Sequence, residues 1–217
     1  MFLPNPGILA AGAGVAPVGQ QLFTTSGSFI VPADVTRICI VAIGAGAKSV
    51  WDGIYNQSGG GGGLAYSNGI AVTPGESLSI DVPASNGGLV RLRRGSTTLL
   101  SASNATDGFG GVGLVGQVLR RGGGSGGWDE RDINGSGAAG YTSDGQNPET
   151  PEFSPRGGGG TSPYGGGGGA QQGAAPGAVG GVYGGGGASG VRAGGPGCLR
   201  IIWGEGRAFP NTNTGDL

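Results

Sequence analysis

The chain has 217 residues, of which 56 are glycine, 12% are charged and none is histidine, and its formal net charge is −1. Ordinary proteins carry roughly 7% glycine; this excess with so little charge argues against an electrostatically solvated disordered tail and against a nucleic-acid binder, which needs a basic stripe to neutralise phosphates. The lack of histidine removes the commonest general base and transition-metal ligand, and a single lysine, Lys48, leaves little room for Schiff-base or phosphate-loop chemistry.

In chain order, Met1–Gly19 is apolar but has no basic start and is broken by Pro4, Pro6 and Pro17, so it does not read as a secretory signal. No stretch is long and apolar enough to cross a membrane. We read residues 1–20 as an extended leader that docks onto another protein. Gln21–Thr25, a Ser26-Gly27 turn and Ser28–Val31 have the pattern of a β-hairpin. Val35–Ile43 (VTRICIVAI) is the strongest strand, and its β-branched run predicts a central strand buried on both faces. Lys48–Ser58 is a bulky insertion carrying Trp51, Asp52 and Tyr55, and Gly59–Gly63 follows it. Leu64–Val72, Ser77–Val82, Leu89–Arg93 and Thr97–Ala102 are further strands. They are joined by a Thr73-Pro74-Gly75-Glu76 turn and an Arg94-Gly95-Ser96 hairpin link.

From about Asp107 glycine takes over. Trp128–Asn134 (WDERDIN) and the acidic, proline-rich Ser143–Arg156 interrupt it, and glycine runs at 157–160, 165–169 and 184–187 follow. The chain closes on a last strand, Cys198–Trp203, and a tail to residue 217. A glycine segment bracketed by strong strands is held at both ends, which favours order. Collagen is excluded because glycine does not recur at every third position, and neither Gly-Ala alternation nor helical periodicity is present. The ordered option left is a bundle of polyglycine II helices, threefold and without internal hydrogen bonds, whose backbone groups must bond to neighbouring helices. The organisation expected is therefore a leader (1–20), an antiparallel all-β base (21–105), a polyglycine II bundle with surface loops (106–197), and the closing strand and tail (198–217), with essentially no α-helix.

Several constellations carry little chemistry. Cys39 and Cys198 lie in apolar runs and read as buried free thiols, with a bridge between neighbouring strands as the alternative. Gly108–Gly113 (GFGGVG) matches a dinucleotide-binding pattern, but no following helix supports it. Asp129, Glu130 and Asp132, or Glu149 with Glu152, could supply a carboxylate pair for glycoside hydrolysis, but they read better as exposed loop charge. Calcium at 128–132 lacks any EF-hand spacing. We therefore expect no enzyme activity, no metal and no cofactor. The aromatics in the breaks, Trp51, Tyr55, Trp128, Phe153, Tyr164 and Tyr183, are either recognition anchors or caps of the bundle ends. We take Tyr183 as a cap, and Trp203 and Phe209 as structural.

The stretches GSFIVPADVTRICIVAIGAGA (27–47), SGGGGGLAYSNGIAVTPGESLSIDV (58–82) and GGPGCLRIIWGEGRAFPNTNTGDL (194–217) resemble the glycine-rich tail proteins of bacteriophages. The resemblance extends from Leu22 to Leu217, with shorter glycine runs and larger polar insertions than the family pattern. It implies a virion structural protein, made in the host cytoplasm, of the kind similar to polyglycine II tail-fibre adhesins, whose inter-helix loops contact a host cell-surface receptor, protein or glycan. On that basis the expected contact residues are Trp51, Asp52, Tyr55, Trp128, Asp129, Glu130, Arg131, Phe153 and Tyr164. Other virion proteins would be met through the leader, a homotrimer is open, and neither nucleic-acid binding nor membrane insertion is expected. A head fibre or decoration protein without a receptor, and a glycan-cleaving tail spike, are the alternatives.

Overall fold

The computed structural model of the protein describes residues 18–84, 88–106, 108–124, 128–129, 135–147, 183–187 and 193–211. Among them all regular structure is β and no helix occurs. The strands in chain order are β1 (Gly19–Phe23), β2 (Gly27–Ile30), β3 (Arg37–Ile43), β4 (Val50–Trp51), β5 (Asn56–Gln57) and β6 (Leu64–Ala71). There follow β7 (Ser77–Asp81), β8 (Leu89–Arg94), β9 (Thr97–Ser103), β10 (Gly113–Val115), β11 (Val118–Arg120), β12 (Trp128–Asp129) and β13 (Cys198–Trp203).

Two five-stranded sheets, in the orders β1-β13-β3-β6-β11 and β10-β9-β8-β7-β2, have every neighbouring pair antiparallel. The alternation of side chains along each strand explains how they stack. Ile38, Ile40 and Ala42 of β3 and Leu199 and Ile201 of β13 meet Phe29, Leu78, Ile80, Val90, Leu92 and Leu100 of the second sheet in one core. Cys39, Val41 and Ile43, with Cys198 and Ile202, face the other way into a second core under Tyr141 and Phe209. The first sheet is thus covered on both faces, which is why β3 tolerates a continuous apolar run. Trp203 packs on Phe29 at a centroid distance of 5.5 Å, and Tyr141 stacks on Phe209 at 5.6 Å, so both Trp203 and Phe209 are structural as expected.

Turn chemistry holds where it was read: Gly75 (φ +80°) and Gly95 (φ +57°) adopt the left-handed backbone their turns require. The hairpin expected across Ser26-Gly27 does not form. β1 pairs with β13 and β2 with β7, so this turn carries the chain from one sheet to the other. The Ser26 hydroxyl accepts from Val82 N–H (3.0 Å), tying the crossing to the second sheet, while the Gln20 side-chain oxygen accepts from Arg200 and Arg207 and fixes β1 to the first. Residues 1–17 of the expected leader lie outside the described residues, and Gly19 and Gln20 already belong to β1.

The two cysteines sit on adjacent strands, but Cys39 faces Ile202 and Cys198 faces Ile43 in register. Four residues of offset is about 13 Å along a strand, far beyond disulfide reach, and both thiols are free and buried. Burial raises the pKa of both, offset at Cys39 by the Gly69 N–H that its sulfur accepts.

Beyond the ends of β3, β6, β9, β11 and β13 the chain continues as extended glycine-rich stretches that belong to no sheet. Gly59–Gly63 runs through their middle, and its bonds repeat every third residue. Gly59 and Gly62 N–H donate to Gly187 and Gly184 carbonyls (2.9 and 2.7 Å). The carbonyls of the same two residues accept from Ser136 and Ala139 (3.2 and 3.0 Å). Gly60 and Gly63 carbonyls accept from Ala47 and Gly44 (2.9 and 2.8 Å), and Gly61 bonds Gly123 and Gly111. Every neighbour on these three sides is itself spaced by three residues. A Cβ on Gly61 or Gly62 would overlap the Gly137 or Gly44 carbonyl, so only glycine fits here.

Two outcomes check this packing. Gly62→Ala should cost about 1–3 kcal/mol in denaturant unfolding, the range of overpacked cores. Gly27→Ala, where a Cβ meets nothing within 4 Å, should stay within about 0.5 kcal/mol of the parent; equal effects would contradict the close approach. Both cysteines should resist a disulfide-exchange thiol reagent at neutral pH until the chain unfolds, and rapid labelling of either in the folded protein would contradict their burial.

Candidate functional site

The glycine stretches give the molecule two distinguishable ends. Next to the sheets Gly44 is bonded to Gly63, Gly63 to Ser103 and Gly184 to Pro196, whereas Ala47, Gly187, Gly59 and Ser136 are bonded in series at the far side. From that far side the chain leaves after Ala47 and returns at Gly59. It also leaves after Gly124, whose carbonyl accepts from the Ser136 hydroxyl (2.6 Å), and after Gly187. Asn147 lies there too, its side-chain oxygen accepting from Gly124 N–H (2.7 Å). Val18 precedes β1, and Gly19 pairs with Trp203 at the opposite end of the first sheet.

The first excursion is a small hairpin. Asp52 organises its tip: the carboxylate accepts from Ile54 N–H (2.9 Å) and Tyr55 N–H (2.8 Å), and Asp52 N–H donates to Tyr55 O (3.2 Å). Gly53 takes φ +106°, a backbone conformation side chains rarely adopt. The backbone N–H of Tyr55, and after it that of Ile54, hold the Asp52 pKa below the usual aspartate value.

β12 adds to this hairpin and forms a three-stranded sheet in the order β12-β5-β4. Its register sets Trp128, Gln57 and Val50 in one cross-strand row and Asp129, Asn56 and Trp51 in the next. Two insertions some 75 residues apart in sequence, each read separately as a contact candidate, are therefore one element. Trp51 is 55% exposed, Ile54 65% and Tyr55 39%.

One further residue escaped the sequence reading. Phe109, 73% exposed, sits on a tight turn closed by paired bonds with Thr106 (2.8 and 3.1 Å). The preceding Gly108 lies so close to the Gln57 side chain that a Cβ would overlap its amide. The turn therefore abuts the small sheet. In sequence it looked only like a chance nucleotide-binding pattern; an aromatic between glycines was the available signal.

Glu130, Arg131, Phe153 and Tyr164 lie outside the described residues. Tyr183, expected as a cap, is half-buried against the second core, and burial raises its phenol pKa. No group of three or more His, Cys, Asp or Glu able to hold a metal occurs among the described residues, nor is any helix there long and apolar enough to cross a membrane.

No protein-family model matches the chain, and no curated protein matches it at a significant level. The arrangement itself offers exposed aromatic and apolar side chains on a short, braced sheet, with the Asp52 carboxylate engaged in its own turn.

Because the Asp52 pKa is lowered on folding, its contribution to the tip is complete above the ordinary aspartate value and is lost as pH falls through the lowered one. Amide-exchange protection at Ile54 and Tyr55 should therefore fall only in acid. Asp52→Ala should remove it at neutral pH, while Asp52→Asn, whose oxygen can still accept, should keep part of it. Protection unchanged in Asp52→Ala would show that the carboxylate does not hold the turn.

Proposed function

We propose that this protein is a bacteriophage virion component, a tail-fibre or tail-tip adhesin that binds a host cell-surface receptor through loops on a polyglycine II scaffold. The observation that carries the reading is the polarity of the chain. The hairpin with Trp51, the return near Trp128 and the break after Gly187 all leave the glycine stretches on the side away from the sheets, while Val18 stands at the other end. A leader at one end would dock the chain to other virion proteins, and the loops would face outward. Exposed Trp and Tyr side chains are favoured anchors of recognition.

The scaffold reading rests on the three-residue repeat in the bonds of Gly59–Gly63. A polyproline-type helix has three residues per turn and no internal bonds, so each third residue meets the same neighbour, as these do. The sequence resemblance at 27–47, 58–82 and 194–217 supports the placement in a phage particle. The protein works here by binding alone, without catalysis or cofactor, and would be found in the virion.

The test uses labelled full-length protein on cells of the bacterium that the phage infects. Labelling should saturate, and should be lost in a Trp51→Ala, Trp128→Ala double variant that keeps the parent's unfolding midpoint. No cell labelling at any concentration would overturn the adhesin. Immunogold micrographs of the virion then separate it from its rival, with tail or tail tip expected and a head position assigning a head fibre or decoration protein.

A further inference from the structure

A bulge in the first sheet holds a reactive dipeptide. Ile38 pairs with Ile70 and Ile40 with Ser67, so two residues of β6, Asn68 and Gly69, stand opposite Cys39 alone. Such a bulge takes residues out of the ladder and re-aims a side chain. Gly69 takes φ +68°, and its N–H donates to the Cys39 sulfur (3.4 Å) instead of to a carbonyl. Asparagine followed by glycine is the pair most prone to close on itself, because no side chain shields the glycine nitrogen from the asparagine amide carbon.

The C-terminal tail holds this pair shut. The Asn68 amide nitrogen donates to the Phe209 carbonyl (2.8 Å), and the amide oxygen accepts from the Phe209 N–H (2.9 Å). The Asn68 backbone is tied in the same two-sided way to the Gln117 side chain, at 3.0 Å in both bonds. Phe209 is itself buried, stacked on Tyr141 and 6.2 Å from the Tyr66 ring. Attack on the amide carbon requires the amide plane of Asn68 to turn toward Gly69. That turn breaks both bonds to Phe209.

We propose that Asn68-Gly69 is a self-modification site kept silent by the docked tail, and that undocking the tail starts an irreversible conversion. The Gly69 nitrogen forms a bond to the Asn68 amide carbon, the bond from that carbon to Nδ2 breaks, and ammonia leaves with the Gly69 proton. Water then opens the cyclic imide at one of its two carbonyls, giving aspartate or isoaspartate. Neither product restores the clamp, because a carboxylate oxygen now faces the Phe209 carbonyl where Nδ2 had donated to it. The same tail braces the start of β1, where the Arg207 guanidinium donates to the Gly19 carbonyl (2.8 Å). A tail that stays undocked leaves that strand with one anchor fewer.

The experiment incubates the full chain at mildly alkaline pH and follows loss of the Asn68 amide by peptide mass mapping. Ser85-Asn86-Gly87 repeats the Ser67-Asn68-Gly69 tripeptide and gives the reference rate in denaturant. Conversion at Asn68 should be slower in the folded parent than in denaturant by about tenfold or more, as two hydrogen bonds must break first. Equal rates in the two conditions overturn the proposal. Phe209→Ala, which loosens the tail but keeps the backbone amide, should raise the folded rate by about tenfold while Cys198 stays protected from a thiol reagent; an unchanged rate overturns it. Asn68→Asp, the product itself, reads the latch directly. Trypsin should cut it after Arg207 faster than the parent, with Arg91 and Arg93 of β8 still uncut. Cutting at all three together, or no faster cutting at Arg207, overturns the latch.

Discussion

The structure depends on one constraint: the backbone of Gly59–Gly63 belongs to no sheet or helix, yet it is buried, so its N–H and C=O groups must find partners on other stretches of chain. Leaving such groups unpaired would cost about 1–3 kcal/mol each. The N–H groups of Gly59, Gly61, Gly62 and Gly63 donate to Gly187, Gly123, Gly184 and Ser103, and the five carbonyls accept from Ser136, Ala47, Gly111, Ala139 and Gly44. Backbones can approach from that many directions only where side chains are missing. Glycine is required by proximity here more than by its freedom of rotation, and the side chains that do occur among the buried neighbours are small: Ala45, Ala47, Ser49, Ser136, Ala138 and Ala139.

This layer and the sheets are not separable bodies. β3, β6 and β13 run directly into Gly44, Gly63 and Gly197, so the register of the first sheet sets where each glycine stretch begins. In return, the glycine-rich half supplies Tyr141, Ala139 and Tyr183 to cover the outer face of that sheet, and the tail supplies Phe209, whose N–H donates to the Asn68 side chain (2.9 Å). Arg200 is fully buried on that face and, with Arg207, is drawn to Gln20 of β1. The sheet's two-sided burial is thus a consequence of the glycine layer folding back onto it.

Strand identity was legible wherever the signal was local. The β-branched run of β3, the turn residues around Gly75 and Gly95 and the apolar CLRIIW of β13 all read correctly because each follows from a few adjacent residues. Partnership was not local, and there the sequence misled: a Ser-Gly pair between two short strands looks the same whether the chain doubles back or crosses to another sheet. β10 and β11 were hidden because three-residue strands inside a glycine-rich stretch show no alternation. The candidate site divides in the same way. Trp51, Asp52 and Tyr55 were found from their bulk in a glycine-rich setting, whereas the joining of their hairpin to Trp128 and Asp129, and the nearness of Phe109, depend on long-range pairing.

A layer built of glycine, alanine and serine has little side-chain chemistry of its own, so large exposed side chains on its far side, such as Trp51, Ile54 and Tyr55, lie in the excursions between its strands. Their flanking residues are fixed by backbone bonds at Ala47 and Gly59, at Gly124 and Ser136, and at Gly187 and Gly195, and none of these bonds depends on what lies between. The excursions are unequal in length and composition, while the bonds beneath them keep one three-residue repeat. Rigid order at the base of every excursion then has a single cause, the packing of glycine backbones against one another.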